Sequence, residues 1–305
     1  MAILNRDCSC NVLITICDAL AHLGAAPREK VIELCMSGIV ETQTNKTRTP
    51  GTISHFLTTG FLVEEKDKLY FHKDYTYLAD FDTYGRLTQL PGALRKAIFS
   101  FADTKLDKRD FWSDKPDGAI DIVRALSWLL SQDIYKTELK WDPIDKLEAS
   151  QFTSERVIQN DTRLNPALEW SAFLGFMDQA DTDKGRFDPT QAVKETLDEI
   201  FVTKPGKLNA ADFLSSLSKQ LPVLDDGRFR KTVEDAMTKK KGWVPPPRGS
   251  LSTSLSIALR RLMLDPDLTF RLNNPADAGE KFKLSLGEDN DLEFSVVTLG
   301  ELQHA

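Results

Sequence analysis

Three residues in the middle of the chain have the side chains of a metal-dependent nuclease. Asp117 follows a proline, and Glu138 and Lys140 come after the next helical stretch, which gives the pattern PD…ExK. Two carboxylates and a lysine can hold a divalent cation and a water for phosphodiester hydrolysis. Such a site needs its acids on neighbouring strands, whereas a predicted helix fills the interval between Asp117 and Glu138. We therefore predict a protein that is not an enzyme and has no cofactor or metal, with a metal-dependent nuclease as the alternative.

The other patterns that could bind a metal or catalyse a reaction are incomplete. Aspartates between residues 178 and 188 resemble a calcium loop, but setting Gly185 at the invariant glycine puts Gln191 where an EF-hand needs a bidentate glutamate. The sequence contains no P-loop, no G-x-S-x-G and no H-E-x-x-H motif. Four cysteines occur within the first 35 residues without the spacing of a zinc knuckle. We interpret them as reduced thiols of a cytoplasmic protein.

Residues that could contact DNA are concentrated between positions 42 and 63. This stretch contains two basic residues, no acidic residue and many short hydroxyl side chains. Side chains of these types contact phosphates and base edges in protein–DNA complexes. We predict contacts to a DNA groove from Lys46, Arg48, Thr52, Ser54 and His55, and contacts to the adjacent phosphate backbone from Lys66 and Lys68.

A second basic region lies between residues 228 and 261. It contains nine basic and two acidic residues, a net charge of +7, and it includes the sequence Pro245-Pro246-Pro247. Such a cluster can neutralise several phosphates. Two protein-contact interpretations stay open: docking against residues 262–305, whose net charge is −6, or binding to an acidic partner. The residues predicted to contact phosphate are Lys239, Lys240, Lys241 and Arg248.

The elements that would position the first group of residues follow the order of a winged helix. Apolar residues recur at helical spacing in residues 12–23 and 31–35, and a third, polar helix follows. The short apolar runs 61–63 and 69–71 flank a charged tip and predict a β-hairpin. In a winged helix the third helix commonly enters a DNA groove. A winged helix used only for protein contacts is the alternative.

The composition and the remaining patterns predict a mostly α-helical protein with small β-hairpins. The chain has 305 residues, of which 41% are hydrophobic and 28% charged, and its net charge of −7 means that DNA contact needs a local basic patch. No apolar run is long enough to cross a membrane and the N-terminus lacks the features of a signal peptide, so we expect a cytoplasmic protein. The C-terminal helix and strand-like runs are compatible with a second winged-helix-like unit. The expected parts are a winged-helix domain (1–80), a helical connector (81–150), a helical domain (151–227), and the basic segment with a C-terminal helix and short strands (228–305).

Several short motifs together resemble the DpdG-like family. The resemblance is carried by the N-terminal MAILN, the stretch from Asn11 to His72, the motifs Leu168-Glu169-Trp170 and Phe173-Leu174-Gly175, Phe187-Asp188-Pro189-Thr190, and Leu221-Pro222-Val223-Leu224-Asp225. It implies an accessory protein of bacterial islands for 7-deazaguanine DNA modification and linked restriction. It also implies separate helicase, ATPase or nuclease subunits as partners, and it assigns no active-site residue.

The sequence as a whole thus predicts a non-enzymatic, DNA-binding accessory subunit of a prokaryotic anti-phage defence or DNA-modification and restriction complex. The expected partners are double-stranded DNA and other subunits of the system, such as an ATPase, a helicase or a nuclease. One alternative is an adaptor that bridges ATPase, helicase or SMC-type subunits without touching DNA. A winged-helix transcriptional regulator is the other.

Overall fold

The computed structural model describes residues 3–36, 43–106, 109–113, 118–178, 185–202, 206–240, 242–276, 279–287 and 292–300. Helices dominate, and the short strands pair antiparallel, which confirms the mostly α-helical class. Across these ranges, no helix is both long enough and apolar enough to span a bilayer. The chain divides into two compact units. The first unit comprises residues 1–123 and 158–174, and the second comprises 124–157 and 175–305.

The first unit begins with three helices and a β-hairpin. Leu13, Ile16 and Leu20 recur on one buried face of the first helix, which ends at Gly24, where φ is 65°. This positive φ favours glycine as the residue that ends the helix. In chain order the elements are α1 (Cys10–Leu23), β1 (Ala26–Pro27), α2 (Arg28–Met36), α3 (Gln43–Thr58), β2 (Leu62–Glu65) and β3 (Lys68–Phe71).

The hairpin closes through a tight turn and covers an aromatic core. Lys66 and Asp67 both have positive φ, 50° and 61°, as a two-residue turn of the I′ type requires. Strand β3 lies between β1 and β2, so the sheet order is β1-β3-β2. The Phe61 ring contacts those of Phe56 and Phe71 at centroid distances of 5.8 and 6.0 Å. These aromatic contacts fix the hairpin against α3.

Further helices complete the first unit. Arg86 is buried in the long helix that begins at Thr83, and it joins this helix to α1, because its guanidinium pairs with Asp18 at 2.9 Å. It also donates to the carbonyls of Leu78 and Phe81. The Trp170 ring lies 5.7 Å from that of Phe56. The further elements of the first unit are a 3₁₀ helix (Lys73–Asp80), α4 (Thr83–Leu106), a 3₁₀ helix (Arg109–Trp112), the beginning of α5 (Ile120–Leu129) and α7 (Asp161–Phe173). Helix α6 (Trp141–Gln151), which lies between α5 and α7 in the sequence, belongs to the second unit.

The second unit repeats the strand arrangement of the first. Its elements after α6 are α8 (Thr190–Phe201), β4 (Lys207–Asn209), α9 (Ala210–Gln220), α10 (Arg228–Met237), α11 (Thr253–Leu264), β5 (Phe270–Asn273), β6 (Phe282–Lys283), β7 (Glu293–Phe294) and β8 (Val296–Leu299). The sheet order β4-β8-β5 corresponds to β1-β3-β2, and in both units the first strand of the sheet lies between two helices. Helix α10 and the pair β6–β7 are additions to this shared plan.

The two units group the chain differently from the four parts expected from the sequence. Strand β4 pairs with β8, so one sheet joins residues on both sides of the expected boundary between 227 and 228. Residues 158–174 belong to the first unit, whereas the sequence analysis placed them with residues 175–227. Both differences arise from contacts between residues far apart in the chain, which local patterns do not report.

The segment before α1, residues 3–9, lies across α3 and the start of α5, and we call it the N-terminal segment. The amides of Ile3 and Leu4 donate to the buried carboxylate of Asp121 at 3.1 and 2.7 Å. The Ser9 amide donates to Thr52 Oγ1 at 3.3 Å. A Cβ on Gly51 would lie 2.6 Å from the carbonyl oxygen of Asp7. A glycine at position 51 therefore permits the close approach of the N-terminal segment to α3.

Replacing Gly51 by alanine should destabilise the protein by about 1–3 kcal/mol, because the added methyl group forces two backbones apart. The measurement is the free energy of unfolding in urea. Gly279→Ala is the control, since a Cβ there would meet nothing within 4 Å. An unchanged unfolding free energy for Gly51→Ala would contradict the close approach.

Candidate nucleic-acid interface

Helix α3 exposes a narrower surface than its polar sequence suggests. Ile53 and Phe56 face the core, and Thr52 and His55 on the adjacent face are covered, with 0% of each residue accessible. The Thr52 hydroxyl contacts the Asp7 carbonyl at 3.4 Å. This burial corrects the expectation that Thr52 and His55 contact a DNA groove, because the N-terminal segment occupies the space that a nucleic acid would need.

The exposed side of α3 carries Ser54 and Thr58 and is completed by a residue from α2. Arg28, whose side chain is 30% exposed, donates to Ser54 Oγ at 2.9 Å and to the Pro50 carbonyl at 3.4 Å. The Nη1 atom of Arg28 lies 3.2 Å from Glu64 Oε2 on β2, whereas the bonds to Ser54 and Pro50 come from Nη2. We call Arg28, Ser54, Thr58 and Glu64 the α3 face. It offers one guanidinium and two hydroxyl groups, which are phosphate ligands, together with one carboxylate that competes for the guanidinium.

Sequence reasoning missed Arg28 because it precedes the polar stretch by more than ten residues. Arg48 is half-buried near the beginning of α3, and the side chain of Lys46 lies outside the described part of the chain. The position of Arg28 could have identified it, because it begins α2 directly after β1, the strand that pairs with β3 of the hairpin. In this fold that strand pairing holds the start of α2 beside the hairpin.

The tip of the hairpin is exposed but has little net charge. Lys66 and Lys68, predicted to contact the phosphate backbone, are both exposed. Asp67 and Glu65 are exposed beside them. The hairpin can therefore present its lysines to a phosphate only with two carboxylates close by, which limits the electrostatic attraction it supplies.

Several basic residues of the second basic region pair with acids of the second unit. Arg230 is 1% exposed and pairs with Glu234 and with Asp225. Burial raises the pKa of Glu234, while the charge of Arg230 acts in the opposite direction. Asp225 precedes this region in the chain and Glu234 lies within it, whereas one of the two open interpretations placed the acidic partners in residues 262–305. Further pairs are Lys231 with Asp226, Lys239 with Glu155, and Arg261 with Asp178 and Asp188.

The four residues predicted to contact phosphate in this region have different surroundings. Lys239 lies 3.5 Å from Glu155, and Lys240 Nζ donates to the Ala149 carbonyl at 2.7 Å. Arg248 is exposed, and Lys241 lies outside the described residues. Arg248 therefore presents its charge to solvent, whereas Lys239 and Lys240 also contact neighbouring groups of the second unit.

Arg230→Ala should destabilise the protein by about 3 kcal/mol, because it leaves two partly buried carboxylates without their cation. Lys231→Ala is the matched control: its side chain and that of Asp226 are 58% and 65% exposed, so its removal should cost less than about 1 kcal/mol. Thermal and urea unfolding of both variants measure the difference. Equal losses would show that Arg230 does not hold a buried ionic cluster.

His55 is buried beside the partly exposed carboxylate of Asp7, without catalytic geometry. The distance from His55 Nε2 to Asp7 Oδ1 is 3.6 Å, and neither ring nitrogen has a hydrogen-bond partner among the described residues. Burial lowers the pKa of His55, and the Asp7 carboxylate opposes this effect. The imidazole is therefore held in its neutral form beneath the N-terminal segment.

Stability should fall as the pH is lowered through about 6.5, the pKa of histidine in an unfolded chain. Between that value and the lower pKa of the folded state, the unfolded chain binds more protons, so acid favours unfolding. The measurement is the unfolding free energy between pH 8 and about 5. His55→Gln should flatten this part of the profile, whereas His22→Gln, at an exposed histidine, should not. A profile that His55→Gln leaves unchanged would contradict the assignment.

The residues considered for metal or nucleophilic chemistry do not form such a site in the described ranges. All four cysteines are buried free thiols, and burial raises the pKa of Cys35 to about 11 and those of the others as well. No group of three histidine, cysteine or acidic side chains placed to hold a metal occurs there. Asp117 lies outside the described residues, and Glu138 and Lys140 line a cavity of about 550 Å³ in the second unit.

Asp178 and Asp188, from the sequence that resembles a calcium loop, have a structural role instead. Both carboxylates contact the Arg261 guanidinium, and Asp188 also accepts from the Thr190 amide at 2.9 Å at the start of α8. They thereby join α8 to α11 within the second unit.

Comparison with known proteins gives one family assignment. The family model described as DpdG-like matches residues 1–278 and so covers both units. No curated protein and no solved structure matches the chain. Because the family model spans most of the sequence, including the N-terminal segment, α3 and the basic region, the chain belongs to the DpdG-like family.

Proposed function

We propose that this protein is a non-enzymatic DNA-binding accessory subunit of a bacterial DNA-modification and defence complex. Membership of the DpdG-like family associates it with the 7-deazaguanine DNA-modification system. In this proposal residues 10–71 form a winged helix whose α3 face and hairpin contact duplex DNA. Other subunits, such as a helicase, an ATPase or a nuclease, supply the chemistry.

The observation that carries the proposal is the arrangement of α1, β1, α2, α3, β2 and β3 around the sheet β1-β3-β2. This order of helices and strands is that of a winged helix, in which α3 and the hairpin are the usual DNA-contacting elements. Arg28, Ser54 and Thr58 lie on the accessible side of those elements. They provide groups that bind phosphate oxygens.

The charge distribution supports an accessory role and not an independent DNA-binding one. The whole chain carries a net charge of −7, and Glu64 pairs with the Arg28 guanidinium on the α3 face. Few phosphates can be neutralised by such a surface, so we expect weak, salt-sensitive binding by the isolated protein. Within a complex, contacts made by other subunits would add to this affinity.

The double variant Lys46→Ala, Arg48→Ala should weaken binding to duplex DNA and make the dependence of log affinity on log salt shallower by about two. The reason is that two fewer phosphate-bound counterions are released. Fluorescence anisotropy across a salt series measures both quantities. Lys207→Ala with Lys219→Ala removes the same charge from exposed positions of the second unit and should leave both unchanged.

Glu64→Ala gives a change of opposite sign in the same titration. Removal of the carboxylate frees the Arg28 guanidinium, so affinity for duplex DNA should rise by a few-fold at low salt. If neither the double variant nor Glu64→Ala alters binding, the α3 face and the start of α3 are not the DNA interface.

A second candidate function is that of an adaptor between protein subunits. It is favoured by the internal pairing of the basic region, where Arg230, Lys239 and Arg261 meet carboxylates of the same unit. An adaptor would co-purify with an ATPase, helicase or SMC-type subunit and would not shift duplex DNA. Two experiments separate the two functions. An electrophoretic mobility shift assay tests whether the purified protein binds duplex DNA, and co-purification from the native host tests whether it binds other subunits.

A further inference from the structure

Residues 242–249, the sequence GWVPPPRG, form a strip on the surface of the second unit. The strip ends in a turn at Arg248 and Gly249, where the Ser250 amide donates to the Pro247 carbonyl at 2.8 Å. Every third residue, Trp243, Pro246 and Gly249, is half-buried, whereas the two residues between each of these are exposed. Three consecutive prolines favour the polyproline II conformation over residues 245–247. Gly249, with a φ of 79°, lies in the turn that follows. Trp243 and Pro246 rest against the protein, whereas the other residues of 244–248 are exposed, Val244 by 81%.

An exposed aromatic patch occupies a different surface, in the first unit. Tyr77, Phe81, Tyr84 and Leu87 are each exposed by 39% or more, and Tyr84 by 81%. The rings of Tyr77 and Phe81 meet edge to face at a centroid distance of 6.5 Å. Arg86 anchors the patch, because its guanidinium holds the carbonyls of Leu78 and Phe81. Exposed aromatic residues that lie close together on a surface are typical of a protein-binding site.

Charges around the patch are acidic. Asp74, Asp80 and Asp82 are exposed along the same stretch of chain, with Lys73 as the exposed base, and Arg86 is buried against Asp18. Asp82 uses one oxygen to accept from the Gly85 amide at 2.7 Å at the start of α4. Acidic groups beside exposed tyrosines repel a phosphate backbone and attract a basic peptide.

We propose that the aromatic patch binds the strip 242–249 of a second copy of this chain. Aromatic surfaces bind polyproline II segments because the extended prolines are already ordered and pack flat against the rings. Arg248 ends the prolines and would meet Asp80, and its guanidinium can also stack on Tyr84. Residues 236–264 contain no acidic residue, and Arg248 within the strip is exposed, so the charge of the strip complements that of the acidic patch.

A second copy of the chain can supply the strip that binds to the aromatic patch. The patch is exposed on the first unit and the strip is exposed on the second. A reciprocal exchange of strips between two copies would place two such contacts in one symmetric dimer. The paired contacts raise the affinity above that of one short peptide contact, which would otherwise be weak.

Sedimentation equilibrium of the full-length protein tests this association without DNA, so it is independent of the proposed function. With rising concentration the weight-average mass should increase toward twice that of one chain. Arg248→Glu and Asp80→Arg should each raise the dissociation constant about tenfold, and an equimolar mixture of the two variants should associate better than either alone.

Tyr84→Ala should weaken the dimer to a similar degree, whereas Leu264→Ala removes an exposed apolar side chain of the second unit and should not. All four positions are exposed, so circular dichroism should report folded variants. The proposal is overturned if the mass stays that of one chain at every concentration. It is equally overturned if association persists unchanged in Arg248→Glu and Tyr84→Ala, because another surface would then hold the copies together.

Discussion

The packing of the N-terminal segment on α3 determines which side chains of that helix reach solvent. Backbone meets backbone at Gly51 and Asp7, and the amides at the start of the chain are held by Asp121. The contact buries Thr52 and His55, two of the most suggestive polar residues of the sequence. What remains accessible is the opposite side, where Arg28, Ser54 and Thr58 lie.

The accessible side of α3 offers few free polar groups, although the helix contains no acidic residue. Its hydroxyl groups bond largely within the helix, as Ser54 does to Pro50 and Thr58 does to Ser54. The one guanidinium on the α3 face comes from α2 and meets Glu64. Paired charges of this kind contribute orientation more than affinity, which is consistent with the accessory role proposed above.

The sequence predicts local elements well and their surroundings poorly. Helical periodicity identified α1, and the two apolar runs around a charged tip identified the hairpin, because both signals lie within a few residues. Burial of His55 depends on Asp7, far away in the chain, and the sheet of the second unit depends on pairing between β4 and β8. The charge of residues 228–261 was visible in the sequence, but its neutralisation by Glu155 and Asp188 was not. Tertiary contacts decide these features.

The account rests most directly on the claim that the α3 face, and not the face beneath the N-terminal segment, is open to solvent and to DNA. Maleimide labelling of single-cysteine replacements at positions 58 and 52 tests it, since the four native cysteines are buried. The account predicts that Thr58→Cys reacts readily in the folded protein, that saturating duplex DNA slows this reaction, and that Thr52→Cys does not react until the protein unfolds. Equal reactivity at the two positions, or a rate at position 58 that duplex DNA leaves unchanged, would contradict it.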